Sequence, residues 1–398
     1  LGVRLFERTK RSVRLSAGKE AEAKEAFGAA LAIEPGNPVA NHNLAMLALR
    51  NNEPDVAKRH FQQVLSHNEN HVATLLSLAG VSQQEGDSES MVRYLQRAVA
   101  ADPKDFRPRV LLARHYVLNG NAEQVAPLFS TLEPAVQTQV DVLNIRGLAH
   151  LELGEYEDAR IVFEQVIKVQ PDAPQPHYHL ALAYRGLGDR DRMLVAFRKA
   201  VELAPDYVEP RIELARAYLQ AQDKKAALEQ LEHLRRLAPQ RADYLQLQAD
   251  AARLDGDQDE ALRLSGQAFK VAPSSLNLVI LVRQQLLMGR KEDALEQLDS
   301  WLKQNPADNT ARMELANYYL VSGQIDAANA QYREVLQHNP NDSIALNNLA
   351  WNLRESDTAQ ALAFAQRAAD AGPESVAILD TLAMLQMKSG DTAQALRT

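Results

Sequence analysis

A chain of 398 residues exceeds one ordinary core, and no run approaches the roughly 18 consecutive apolar residues of a membrane-spanning helix. The absence of cysteine excludes disulfides, thiolate metal sites and cysteine nucleophiles. A net charge of −8 argues against a nucleic-acid surface along most of the length, although residues 1–19 carry +5 and the remainder −13.

That basic segment, LGVRLFERTKRSVRLSAGK, stands apart from everything after it. Arg4, Arg8, Lys10, Arg11, Arg14 and Lys19 face a single acid, Glu7. Its run from Leu1 to Thr9, with Arg11, Val13, Leu15 and Gly18, resembles the end of the recognition helix and the wing of LysR-type transcription regulators. In that family the segment packs behind a helix-turn-helix and touches the DNA backbone. Here the two preceding helices are missing, and Ser16-Ala17 replaces the usual Thr-Glu. Without a helix for the major groove it has electrostatic affinity but no readout, so a basic tail or fusion scar is the better reading.

From Glu20 to Pro35 the spacing of Ala23, Phe27 and Ala30 predicts a single amphipathic helix. Ten helical hairpins are then expected between about Asn37 and Pro373, followed by one more first helix and the start of its partner. Leu180–Pro205 is the clearest copy: Leu180, Ala181 and Tyr184 mark one helix, Gly188-Asp189 the turn, and Met193, Phe197 and Ala200 the second helix. Closing prolines at Pro171, Pro205, Pro239 and Pro273 lie 34 residues apart, and Pro306, Pro340 and Pro373 continue with steps of 33 or 34. Phe27, Phe61, Phe129, Phe163, Phe197 and Tyr332 keep the same time, as does a small residue from Ala45 through Gly147 to Ala383.

A hairpin this short cannot bury its own apolar face and must stack on its copies. The period and its three markers resemble the tetratricopeptide repeat (TPR) family over residues 20–398, which implies an all-α, right-handed solenoid. Arg146, Gln248 and Arg283 stand where the pattern prefers an apolar or small residue, and those repeats are expected to pack loosely. Pro134 is expected to shift one inter-repeat loop, and the glycine-free Glu355–Thr358 turn to tighten. No polar capping helix is visible at the C-terminal end, so the chain reads as a fragment of a longer array.

The search for chemistry is mostly negative. No Walker loop, dinucleotide fingerprint or nucleophile elbow occurs, and Gly186-Leu187-Gly188 reads as a turn. His67 and His71 flank a loop rather than sharing a helix face, so they read as solvated rather than as metal ligands, and His177 and His179 point to different sides of one helix. Neither an enzyme nor a cofactor or metal protein is expected.

What the family resemblance implies is a concave groove lined by first helices. Projecting the repeat frame places Arg107, Arg114, Asn144, Tyr178, His179, Arg185, Arg216, Asn317, Asn347, Asn348 and Trp351 there. Arginine with aromatic neighbours suits binding of a protein or peptide. A carboxylate clamp for chaperone tails is broken, because Met313 and Asp380 occupy its basic positions beside Asn317 and Asn348. The words Asn347–Trp351 and Leu379–Leu382 resemble bacterial envelope TPR proteins, in particular TPR lipoproteins of the PEP-CTERM exopolysaccharide and sorting system. An interaction scaffold for envelope export is therefore expected, with periplasm favoured over cytoplasm and any anchor upstream of Leu1. The alternative is a regulator whose repeats sense a partner while residues 1–19 touch DNA.

Overall fold

The computed structural model describes residues 20–398. The basic segment, and with it the LysR-like resemblance, lies outside them. The described chain is all-helical, with no strand. Helix α1 (Glu20–Ile33) stands alone as a second helix, and hairpins follow: α2 (Pro38–Arg50) with α3 (Pro54–His67), and α4 (Val72–Gln84) with α5 (Ser88–Ala101). Next, α6 (Arg107–Leu118) meets a 3₁₀ turn (Ala122–Gln124) and the short α7 (Val125–Ser130), and α8 (Pro134–Gln137) leads on. Regular pairing resumes with α9 (Val140–Glu152) and α10 (Tyr156–Val169), then α11 (Pro174–Gly186) and α12 (Arg190–Leu203).

A second compact unit begins at Asp206. It contains α13 (Val208–Gln220) with α14 (Lys224–Leu237), α15 (Ala242–Leu254) with α16 (Gln258–Val271), and α17 (Ser275–Leu287) with α18 (Lys291–Gln304). Then come α19 (Asn309–Val321) with α20 (Ile325–His338), α21 (Ser343–Leu353) with α22 (Thr358–Ala371), and α23 (Val376–Lys388) with α24 (Thr392–Ala395). Within each unit, first helices touch the next first helix, as in α9 with α11 and α13 with α15. Second helices reach the next hairpin through its first helix. The first helices therefore make the inner layer of each stack.

The turn inside a hairpin has a simple recipe. Gly188 adopts φ +74°, a left-handed conformation that costs a residue with a Cβ about 1–2 kcal/mol. The Asp189 N–H then closes back on the Tyr184 carbonyl at 2.9 Å, and the Asp189 carboxylate caps α12 by accepting from the Arg192 N–H at 3.0 Å. Asp87, Asp257 and Asp391 cap α5, α16 and α24 in the same way after their own glycines.

Between hairpins a second device recurs. A side-chain donor six residues after the loop proline satisfies its carbonyl: Asn41 to Pro35 at 2.8 Å, Arg109 to Pro103 at 3.0 Å, His177 to Pro171 at 2.9 Å and Arg312 to Pro306 at 2.6 Å. The sequence reading missed this pattern.

The core is the expected column of aromatics. Phe61, Phe163, Phe197 and Tyr332 are fully buried, and Leu95, Leu231 and Leu298 hold the same slot where the aromatic is absent. The facing small residue is a steric necessity. At Gly147 an added Cβ would lie 2.6 Å from Phe163 Cζ.

Three expectations about packing turn out differently from one another. Arg283 does not occupy a core slot. The loop before α17 is one residue shorter than the loop before α15, so Leu281 and Val282 fill the two slots and are buried, while Arg283 turns outward to pair with Glu314 at 2.7 Å. Arg146 and Gln248 do stand in the leucine column of their first helices, and a cleft opens beside each, of about 460 Å³ and 440 Å³. Pro134 turns the inter-repeat loop into the one-turn helix α8, with the proline at its first position.

Candidate ligand-binding face of the first helices

In the first unit, Arg107 is exposed but not free. It makes a bidentate pair with Asp105, at 2.6 Å for the shortest contact, and holds that carboxyl below its ordinary range. Arg114 is exposed and makes no hydrogen bond or ion pair among the described residues. Asn144 is half-buried on α9.

Tyr178 and His179, on α11, sit on the core rather than above it. The Tyr178 ring lies 5.8 Å from Phe197, and the His179 ring 5.1 Å from Phe163 and 5.5 Å from Tyr178. Burial pushes the His179 imidazole down to about 4, and its Nδ1 has no partner. Arg185 is exposed at the end of the same helix.

In the second unit a cleft of about 650 Å³ is built by α13, α15 and α17. Arg216 and Asp250 follow the small residues Ala215 and Ala249 on successive first helices, so both point to the inner face. Arg216 donates to Glu213 at 2.9 Å, and Arg241 spans Glu209 and Asp243, each at 2.9 Å. Leu276 and Ile280 supply an apolar wall, Leu276 being 68 % exposed.

Below them lies a polar ladder. Ser265 Oγ donates to Gln246 Oε1 at 3.4 Å, Gln246 Nε2 to Asn277 Oδ1 at 3.3 Å, and Asn277 Nδ2 to the Ala272 carbonyl at 2.9 Å. Ser265 occupies the core aromatic slot, which explains why polar groups can enter the interior here.

Further along, Asn317 is exposed and Asn348 half-buried, while Asn347 Oδ1 is buried with no partner. Trp351, 44 % exposed, stacks under the Arg354 guanidinium at 4.2 Å. Met313 packs against the Tyr332 cluster, so no cation stands there.

The structure thus brings Tyr178 and His179 together, and separately groups Arg216 with Arg241, Asp243, Asp250, Leu276 and Ile280. The last five were missed by the sequence reading. Asp250 was legible, because it occupies the position of Arg114 and Arg216 one residue after the small residue of its helix. Leu276 was hidden by the same shortened loop that misplaced Arg283.

Family profiles described as tetratricopeptide repeat match residues 14–79 and 186–251, a TPR repeat profile matches 147–188, and a further tetratricopeptide repeat profile matches 313–376. The first match begins inside the basic segment. No curated protein matches the sequence. Among solved structures, yeast Tom70 is similar at 14 % identity with a TM-score of 0.55, over 100 % of this chain and 90 % of that one.

The APC/C hetero-tetramer Cut9-Hcn1 shares 13 % identity, TM-score 0.44, over 96 % of this chain and 66 % of that one. A tetratricopeptide repeat protein from Parabacteroides merdae shares 13 %, TM-score 0.45, over 71 % and 98 %. With profile matches over more than half its length and hairpins of the expected period, turn and core, the chain belongs to the tetratricopeptide repeat superfamily.

Proposed function

We propose that this chain is a non-enzymatic scaffold that holds a protein or peptide against the inner face of its first helices. The observation that carries the reading is the cleft on α13, α15 and α17. It offers an aliphatic wall, exposed Leu276 and half-buried Ile280, beside Arg216, Arg241, Asp243 and Asp250. Apolar surface rimmed by charges of both signs suits a segment that alternates aliphatic and charged side chains.

The test is selection from a displayed peptide library, followed by titration. Wild type is expected to enrich a defined peptide class, and Arg216→Ala with Leu276→Asp to weaken the best peptide at least tenfold at unchanged helicity. Equal binding by the double variant would move the binding face elsewhere.

We infer further that the scaffold serves bacterial envelope export or assembly, supported by the resemblance carried by Asn347–Trp351 and Leu379–Leu382. Recovery of the native protein in the cytosolic fraction alone would refute that assignment.

A further inference from the structure

The turn between α9 and α10 departs from its neighbours at three positions at once. His150, in the last turn of α9, stands where Tyr116, Tyr184, Tyr218 and Tyr319 stand in other hairpins. Glu155 takes the place of the capping aspartates but makes no cap, and its Oε2 instead lies 2.6 Å from His150 Nδ1. Asp158, one turn into α10, is exposed and makes no side-chain hydrogen bond or ion pair among the described residues. One ligand atom from each of the three lies within 4.8 Å of the others.

The next hairpin shows what these positions hold when the chain supplies its own cation. There Arg192, at the position of Asp158, places its guanidinium 4.9 Å from the centre of the Tyr184 ring, and its Nε donates to Asp189 at 2.5 Å. A positive group thus sits between ring and carboxylate. In the α9–α10 turn the ring has become an imidazole and the cation has become a second carboxylate.

We propose that His150, Glu155 and Asp158 bind a divalent transition-metal cation of the Zn²⁺ class. One imidazole nitrogen and two carboxylates neutralise a 2+ charge and suit Zn²⁺ better than Mg²⁺ or Ca²⁺, which prefer all-oxygen sets. His150 lies in the last turn of α9, whose dipole favours a cation, whereas Glu155 and Asp158 stand at the N-terminus of α10, whose dipole opposes one, so the two carboxylates carry the attraction. His150 and Glu155 also line the cleft of about 460 Å³ beside Arg146.

The test is calorimetric titration of the full chain with Zn²⁺, with Co²⁺ absorbance as a spectroscopic reading of geometry. Wild type is expected to take up one equivalent saturably and, with Co²⁺, to show the intense visible bands of a low-coordinate site. His150→Gln and Asp158→Asn should each weaken binding at least tenfold, and His233→Gln, remote from the cluster, should leave it unchanged. Asp158→Arg restores the arrangement of the next hairpin. It should abolish Zn²⁺ binding while keeping the melting temperature, which separates ligand loss from unfolding. Wild-type affinity in Asp158→Asn, or no saturable binding by wild type, would overturn the proposal.

Discussion

Two hairpins of the first unit, α11–α12 and α6–α7, carry the same core aromatic and differ in almost everything else. In the first, Asp189 caps a 14-residue second helix and Phe197 is fully buried. In the second, Asn121 provides no cap, a 3₁₀ turn precedes a six-residue helix, and Pro127 and Pro134 prevent a longer one. Yet Phe129 is 3 % exposed, packed among Val110, Val125, Leu132 and Ile145.

One carbonyl of the short helix is met by a buried arginine. Arg109 donates to the Leu128 carbonyl and, at 2.7 Å, to Thr131 Oγ1, besides its bond to Pro103. The comparison teaches that the aromatic slot, not helix length, defines a repeat. A hairpin can lose half its second helix if something supplies donors for the freed carbonyls.

The largest effect that would sharpen this contrast is at the aromatics themselves. Phe197→Ala should cost about 3–5 kcal/mol, because the regular helices around it cannot collapse into the void. Phe129→Ala should cost less, since the short α7 can move inward. Hydrogen exchange read segment by segment checks both, with the repeats between Pro171 and Pro239 expected to exchange slowest in wild type. Equal losses for the two variants would show that both hairpins are equally rigid.

Acid should weaken the α11–α12 hairpin. The unfolded chain protonates His179 below about pH 6.5, whereas the folded protein does so only below about 4. Stability from keeping this imidazole neutral is therefore full above about pH 6.5. It is lost progressively as pH falls toward 4, a change on the order of 3 kcal/mol. His42, His60 and His71 are also held below the ordinary imidazole range by burial, in the N-terminal hairpins. Exchange in α11 and α12 alone, compared between wild type and His179→Leu, isolates the local contribution. A pH profile that the substitution leaves unchanged would exclude His179 as its source.

The smallest effect is a gain. Arg146→Leu restores the leucine column in the first helix beside the irregular hairpin and fills part of its cleft. An increase of roughly 1 kcal/mol in unfolding free energy is expected, from apolar burial replacing a half-buried charge. A denaturation midpoint unchanged or lowered would mean that Arg146 makes a compensating contact.

Most of the fold was legible because it is written many times over. Phe163, Phe197 and Tyr332 keep one phase, and Gly188-Asp189 spells its turn locally. What escaped was set by single residues outside the average. One residue absent from the loop before α17 moves Arg283 from core to surface and brings Leu276 into the cleft; the 33-residue step from Pro273 to Pro306 records the loss but not on which side of the helix it falls. Arg109 carries no sequence signal of its role, which is set by the Leu128 carbonyl of α7 beside it. The inner face was legible as columns of positions. Which columns converge, as Arg216 and Asp250 do with Leu276, depends on how successive first helices pack.

Tyr178 and His179 touch Phe197 and Phe163 directly, so in this stretch the floor of the inner face and the wall of the core are the same surface. A ligand resting on those rings would therefore press on the joints between hairpins as well as on the groove. Truncating either ring to admit a ligand would therefore also open the core that joins neighbouring hairpins.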